Sequence, residues 1–322
     1  MSKPIVVITR RVPVAVEKHA GELFDVRLNP SDAPMSTTQL IEAMQCADGL
    51  MPTVTDKITA DVLATPGRRV SIVANFGVGY NNIDVAAAQK NHVVVTNTPD
   101  VLTDDTADLA IALMLMAARR LGEGEREVRA GAWTGWRPTH HLGTRVSGKT
   151  LGILGLGRIG RAVAKRAHDG FNMRVLYFDP PVPIGEAKAL GAEPRASIED
   201  VLRESDFVSL HAPATPETRH MINAQTLALM PPHAILINTA RGDVVDELAL
   251  AEALKAKRIA GAGLDVFEKE PTVTPALLAL DNVVLLPHLG SATTDTRVAM
   301  GERAIDNLVQ FFAGKAPRDR VA

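Results

Sequence analysis

Thr150-Leu-Gly-Ile-Leu-Gly155-Leu-Gly157-Arg-Ile-Gly160 is the stretch on which the reading of the fold turns. An apolar run, Leu151 to Leu154, ends in glycines spaced G-x-G-x-x-G. A helix-period segment, Ile159 to His168, follows, and then a second apolar run, Arg174 to Phe178. The spacing alone is common among glycine-rich turns; between a strand and a helix it acquires a physical meaning. The first glycine makes the tight turn, the second lets a pyrophosphate approach the backbone, and the third lets helix and strand pack. The helix N-terminus then presents its N–H groups to the phosphates. Gly155, Gly157, Arg158, Ile159 and Gly160 therefore read as a dinucleotide site within one βαβ unit. Asp179 ends the second strand, where a carboxylate accepts from ribose hydroxyls and repels a 2′-phosphate. NAD(H) is favoured, while Arg158 and Arg161 keep NADP(H) open. The competing reading of Asp179 is a turn former ahead of Pro180 and Pro181.

Outward from this unit, short Val/Ile-rich runs alternate with helix-period segments, the pattern of an α/β chain with helices on both faces of a parallel sheet. Upstream strands are expected at Ile5 to Ile8, Val70 to Ala74 and Val93 to Thr96, before Pro99 interrupts the pattern. The Ala/Leu/Met segment Thr103 to Arg120 reads as one helix buried on nearly every side, between lobes or subunits. Downstream, Ser197 with Asp200 reads as a capping-box start, and Asp246 caps a helix ending in Lys255, Lys257 and Arg258. Strands are expected at Phe207 to Leu210, Ala234 to Asn238, Gly261 to Val266 and Val283 to Leu286. Only a helix, Thr293 to Phe312, follows His288.

At 322 residues the chain is too long for one core and suits two lobes, joined at element ends such as Pro99 and Gly290. A formal net charge of −2 gives no field for holding nucleic acid or an anionic membrane, so a small-molecule partner is expected. Cys46, the only cysteine, excludes an internal disulfide and reads as a small core residue in a reducing compartment. The N-terminal stretch turns polar too soon for a signal peptide. Ala107 to Ala118 contains Asp108 and falls short of the roughly 18 residues of a membrane span. The expected location is the cytoplasm.

Three charged or titratable residues follow expected strand ends, where ligands collect on an open α/β sheet. Arg241, in Asn238-Thr-Ala-Arg-Gly242, has the geometry to clamp a carboxylate at two points. Glu270 lies in Asp265-Val-Phe-Glu-Lys-Glu-Pro271 and His288 in Leu286-Pro-His-Leu-Gly290. Each also has a plain reading: a histidine after proline is commonly a surface or core residue, and a glutamate before proline often ends an element. No His/Cys cluster with ligand spacing calls for a metal. His140 and His141 read as solvated loop residues.

Taken together, Asn75-Phe-Gly-Val-Gly-Tyr-Asn-Asn-Ile-Asp84, Gly155 to Gly160, Leu210-His-Ala-Pro213, Asn238 to Gly242, Gly263 to Pro271 and Pro287-His-Leu-Gly-Ser-Ala292 resemble the D-2-hydroxyacid dehydrogenase family, in order and over almost the whole chain. Phe76-Gly-Val-Gly-Tyr80 and Trp133-Thr-Gly-Trp136 bring the likeness nearest to its glyoxylate/hydroxypyruvate reductases. The resemblance implies two Rossmann-like, doubly wound parallel-sheet domains with an active-site cleft between them. Residues 1–99 with 291–322 would be the substrate-binding domain, and 100–290 the dinucleotide-binding domain.

The resemblance further implies that a 2-keto acid is reduced to its 2-hydroxy acid by hydride transfer while His288 donates a proton. Glu270 would orient His288 and raise its pKa, and Arg241 would bind the substrate carboxylate. Val78 and Gly79 would grip that carboxylate through backbone N–H groups, with Met51, Pro52 and Phe76 lining the pocket. Cofactor contacts would come from Thr106, His211, Pro213, Thr239, Ala240, Arg241, Asp265, His288 and Gly290. Asp265 would hold the carboxamide, and His211 admits plain packing equally. In the resembling reductases the Trp133 to Trp136 loop crosses into a partner, so a homodimer with Trp136 closing the neighbour's pocket is expected. The rival enzymes are 3-phosphoglycerate dehydrogenase and, less well matched, formate dehydrogenase; the rival of another class is an NAD-sensing corepressor.

Overall fold

The computed structural model describes residues 2–322; Met1, the start of the expected first domain, lies outside them. The described residues form β1 (Ile5–Ile8), β2 (Asp25–Leu28), β3 (Gly49–Met51), β4 (Ile72–Ala74), β5 (Val94–Thr96), β6 (Thr150–Leu154), β7 (Arg174–Phe178), β8 (Ala192–Pro194), β9 (Phe207–Leu210), β10 (Ile235–Asn238), β11 (Gly261–Leu264) and β12 (Val283–Leu285). They lie in two sheets whose paired strands are parallel, which makes the fold α/β. The chain divides into two compact units, one running to Leu102 and resuming over Ser291–Ala322, the other spanning Thr103–Gly290.

In the first unit the strand order is β2-β1-β3-β4-β5. The inner strands are apolar because helices cover both faces. The edge strand β2, Asp25-Val-Arg-Leu28, is short and charged, a composition that discourages edge-to-edge pairing, and its polar–apolar alternation lasts only four residues. At the other edge, Val321 N–H donates to Val95 O at 2.8 Å and Arg320 bridges Thr96 antiparallel. The expectation that only a helix follows His288 is therefore corrected. The helix Thr294–Phe312, capped by the Thr293 hydroxyl, leads into a tail that covers β5.

That tail is held by Asp319, which receives both Arg303 Nε and an Arg303 Nη atom at 2.6 and 2.7 Å and Asn307 Nδ2 at 3.0 Å. Its side chain is only 5% exposed. Burial pushes the Asp319 carboxyl up, but the hydrogen bonds and charge of Arg303 outweigh it and leave the group below its ordinary value.

In the second unit the order is β12-β11-β10-β9-β6-β7-β8. The strand order reverses between β6 and β9, and the C-terminal strand ends beside that reversal form the natural ligand crevice of such a sheet. One face packs Leu113, Met114, Ile153, Tyr177 and Phe207; the other packs Leu154, Val208, Leu236, Leu250 and Leu264. The segment read as one helix over Thr103 to Arg120 is a helix Thr103–Ala118, a left-handed Arg120, and a second helix Leu121–Arg129. Nor is the first helix buried all round: Asp104 and Asp108 stand on an exposed face and pair with Arg166 at 2.9 and 2.6 Å. Ser197 and Asp246 cap their helices through Asp200 N–H and Ala249 N–H. Cys46 ends the helix Thr37–Cys46 half-buried rather than in the core. No helix among the described residues is long and apolar enough to cross a membrane.

Removing one partner of a buried, doubly bonded ion pair strands the other, so Asp319→Ala should cost about 3 kcal/mol in urea unfolding at neutral pH. The Asp319 carboxyl is depressed in the folded chain. Its contribution is therefore present above the ordinary value of 3.8 and lost as pH falls through the lower folded value, so the difference from wild type should close in acid.

Candidate active site

β6 and β9 are neighbours, with Leu154 opposite Leu210, so Gly155 and His211 emerge side by side at the C-terminal edge of the sheet. Gly155 has φ +96°, and a Cβ there would stand 2.6 Å from Ala212 N, a position that admits only glycine. A Cβ on Gly160 would lie 2.2 Å from Gly155 O, so helix and turn touch backbone to backbone. Beyond Gly157, by contrast, there is open space within 4 Å, and Gly157 has no side chain with which to cap the helix Arg158–Phe171. An open cradle before a helix N-terminus fits a dinucleotide pyrophosphate.

Asp179 follows β7 and accepts Leu156 N–H at 2.7 Å through Oδ2, bracing the glycine turn. Arg161 is held by Leu156 O at 3.0 Å and Glu186 at 2.7 Å. His211 Nε2 meets Ser209 Oγ at 2.8 Å, while Nδ1 is shielded from solvent without a hydrogen-bond partner among the described residues. Burial pushes the His211 ring down to about 4, so it is neutral at physiological pH. Pro213 follows it, exposed, with its carbonyl accepting the Thr218 hydroxyl.

Farther along the same edge, Asn238, Leu264 and Leu285 share one register across β10, β11 and β12. The Asn238 amide shapes the following turn: Oδ1 accepts Ala240 N–H at 3.0 Å and Nδ2 donates to Arg241 O at 2.9 Å. Thr239 Oγ1 is buried without a hydrogen-bond partner among the described residues, a group suited to a ligand. Arg241 donates to Ala240 O at 2.7 Å. Burial lowers its guanidinium pKa, and the charge of Glu270 acts in the opposite direction. A Cβ on Gly242 would come within 1.9 Å of the Phe267 carbonyl carbon, so the Arg241 turn lies directly on the loop that carries Glu270.

Glu270 Oε1 accepts Phe267 N–H at 3.1 Å, and Oε2 meets His288 Nδ1 at 2.8 Å. Burial pushes its carboxyl up, but the hydrogen bond and charge of His288, with help from Phe267 N–H and Arg241, hold it below the usual range. The Glu270–Pro271 peptide is cis. With Nδ1 on Glu270, Nε2 is the ring nitrogen left for chemistry.

His288 itself has φ +56°, and three bonds from Asp265 hold its loop. His288 N–H donates to Asp265 O at 2.9 Å, Leu289 N–H to Oδ1 at 2.7 Å and Gly290 N–H to Oδ2 at 2.8 Å. Thr106 Oγ1 donates to Gly290 O at 3.0 Å. Burial raises the Asp265 carboxyl despite these donors.

The first unit holds a separate set of predicted residues. Met51 ends β3 and is buried, as are Pro52 and Phe76. The loop with Val78 and Gly79 is fixed by amides: Asn75 Nδ2 donates to Gly79 O at 3.0 Å, Asn97 Nδ2 to Val78 O at 2.8 Å, and Asn82 Nδ2 to Asn75 Oδ1 at 3.2 Å. The roles of Asp265 toward the His288 loop, of Asn238 and Gly242, and of these three asparagines were not read from the sequence. Gly242 alone carried a signal, as a glycine directly after a candidate charged residue. Trp136, in the loop after the helix Leu121–Arg129, is 82% exposed. His140 and His141, read as solvated, are instead mostly covered and both reach Glu127.

The model of the D-isomer specific 2-hydroxyacid dehydrogenase NAD-binding domain matches residues 111–290. The chain belongs to this family. As a D-2-hydroxyacid dehydrogenase it is an oxidoreductase with a nicotinamide-cofactor domain. It is 48% identical to a glyoxylate reductase of Pyrococcus furiosus, over 98% of this chain and 94% of the relative. It is 49% identical to a glyoxylate reductase of Korarchaeum cryptofilum, over 99% and 96%. Among solved structures, an NADPH-dependent glyoxylate/hydroxypyruvate reductase of Sinorhizobium meliloti in complex with NADP and malonate superposes with a TM-score of 0.88 at 37% identity, covering 100% and 97% of the two chains.

In this dehydrogenase, Asp265→Asn leaves one carbonyl oxygen for two N–H groups and should loosen the His288 loop. Steady-state kinetics should show kcat falling about 100-fold, the scale of an ångström-sized misplacement. His211, with its Nδ1 shielded from solvent, offers a second test. Its folded pKa is below the ordinary 6.5, so folded stability should be complete above that value and decline as pH falls toward about 4. Replacing it with Asn should flatten this part of the stability–pH curve.

Proposed function

We propose that the chain reduces glyoxylate and hydroxypyruvate to glycolate and D-glycerate with NADH. The observation that carries this reading is the His288–Glu270 pair at 2.8 Å beside a desolvated Arg241, on the strand ends next to a dinucleotide cradle. The curated relatives named for glyoxylate support the substrate class.

The residues present fit the nicotinamide cofactor, and when bound it supplies the hydride for the keto carbon. Gly155, Gly157, Arg158, Ile159 and Gly160 would hold its pyrophosphate and Asp179 its adenosine ribose. His211 and Pro213 would lie against the adenine; Thr106, Thr239, Ala240, Asp265 and Gly290 would surround the nicotinamide half. Arg241 binds the substrate carboxylate and polarises the carbonyl, more strongly as negative charge grows on its oxygen. Protonated His288 delivers a proton from Nε2 to that oxygen, while Glu270 holds the ring through Nδ1. In the first unit, the backbone N–H groups of Val78 and Gly79 would bind a carboxylate, with Met51, Pro52 and Phe76 beside them.

NADH is preferred over NADPH in this reading because Asp179 would meet a 2′-phosphate with like charge and Arg161 is already paired with Glu186. The chain works as a homodimer in the cytoplasm, and the exposed Trp133 and Trp136 are its contact residues, Trp136 reaching the partner's substrate.

Initial rates with glyoxylate, hydroxypyruvate, pyruvate and 3-phosphohydroxypyruvate, each with NADH and NADPH, test the assignment. Fast turnover of either of the first two with NADH is expected. Activity confined to the phosphorylated acid would make the protein a 3-phosphoglycerate dehydrogenase, and silence would favour a sensor. His288→Ala should abolish turnover while NADH still binds, and Asp179→Ala should narrow the preference for NADH.

A further inference from the structure

Apart from the residues assigned above, the second unit gathers three metal-ligating side chains at one point. Glu127 lies on the helix Leu121–Arg129, and the chain that follows returns His140 and His141 onto it. Both imidazole Nε2 atoms converge on the same oxygen, Glu127 Oε2, at 2.9 Å from His140 and 2.8 Å from His141. One donor atom from each residue lies within 4.8 Å of the others. The two rings stack with centroids 4.2 Å apart, and the three side chains are 18 to 27% exposed. They line a surface cavity of about 310 Å³ together with Glu123, Arg126 and Asp281. The charges at its rim are paired: Glu123 with Arg120 at 2.6 Å and Arg126 with Asp281 at 3.2 Å.

Two imidazoles and one carboxylate are a borderline-soft donor set, suited to zinc and its neighbours and poorly matched to magnesium or calcium. Three protein ligands facing an open cavity leave a fourth corner for water. Ligand atoms around tetrahedral zinc stand about 3.3 Å apart, so each ring nitrogen needs to part from Glu127 Oε2 by about half an ångström, which side-chain rotation provides. We propose that Glu127, His140 and His141 bind a zinc-class divalent cation. The ion takes the place of the contacts that both rings now make with the carboxylate. It thereby closes the loop that carries Trp133 and Trp136 onto its preceding helix and limits the freedom of that segment.

Chelator-treated full-length protein, titrated with zinc in a calorimeter and in parallel with cobalt(II) in a visible spectrometer, tests the site. The proposal expects one ion per chain and the absorption bands of tetrahedral cobalt. Glu127→Gln should weaken binding about tenfold or more, and the double variant His140→Asn/His141→Asn should abolish it. His19 and His233, which pair with Glu302 and Asp206 at 2.5 and 2.7 Å, supply the controls: His19→Asn and His233→Asn should bind as wild type does. Should the double variant fail to fold, the wild-type unfolding midpoint decides, rising with zinc and staying fixed with magnesium. Absence of stoichiometric binding, binding that survives in the folded double variant, or a midpoint unmoved by zinc overturns the proposal.

Discussion

The carboxylate of Asp265 accepts two successive backbone N–H groups, from Leu289 and Gly290, while its own carbonyl accepts His288 N–H. The chemistry assigned to the second unit depends on this clamp. A histidine at φ +56° is costly unless its surroundings determine it, and Asp265 supplies that determination from the position directly after β11. Without the clamp, the ring would lose its register with Glu270. The same carboxylate is buried, so its donors are also what satisfy it.

The parallel sheet explains why the parts converge. Asn238, Leu264 and Leu285 are register partners, so the turns after β10, β11 and β12 must leave the sheet at one level. Gly242 then lets the Arg241 turn lie against the Phe267 backbone, where any larger residue would hold them apart. Arg241, Glu270 and His288 are far apart in sequence and come together because three strands end together and one glycine permits contact. Opposing forces on the charges follow from that crowding. Burial lowers the guanidinium of Arg241, and the depressed carboxyl of Glu270 remains ionised to oppose it.

The legible parts of the sequence were those in which local chemistry and tertiary structure ask for the same residue. The βαβ unit was plain because each glycine of Gly155 to Gly160 meets a distinct steric demand, and β9 and β10 because they are apolar on both faces. β2 and the tail beyond Phe312 were not legible. β2 is a charged edge strand whose polar–apolar alternation lasts only four residues, and the tail is defined by distant partners, Asp319 to Arg303 and Val321 to Val95. The helix end at Ala118 was hidden by the apolar run around it, since the left-handed residue that ends it is an arginine rather than a glycine. Arg241, Glu270 and His288 were visible as residues after strands, yet the asparagines that fix the Val78–Gly79 loop were not, because a side-chain amide bonding a backbone carbonyl leaves no pattern. His140 and His141 were misread as solvated because Glu127 lies a helix end away from them.

The most direct test of the paired His288–Glu270 acid is the pH dependence of kcat/KM for glyoxylate reduction in wild type and in Glu270→Gln, a variant that keeps the side chain's shape and removes its charge. The account predicts that the variant's kcat/KM lies about 100-fold or more below that of wild type across the profile, because the carboxylate that is held below the usual range, and so ionised, no longer fixes the proton-donating ring through Nδ1. A variant whose profile overlays that of wild type would contradict it.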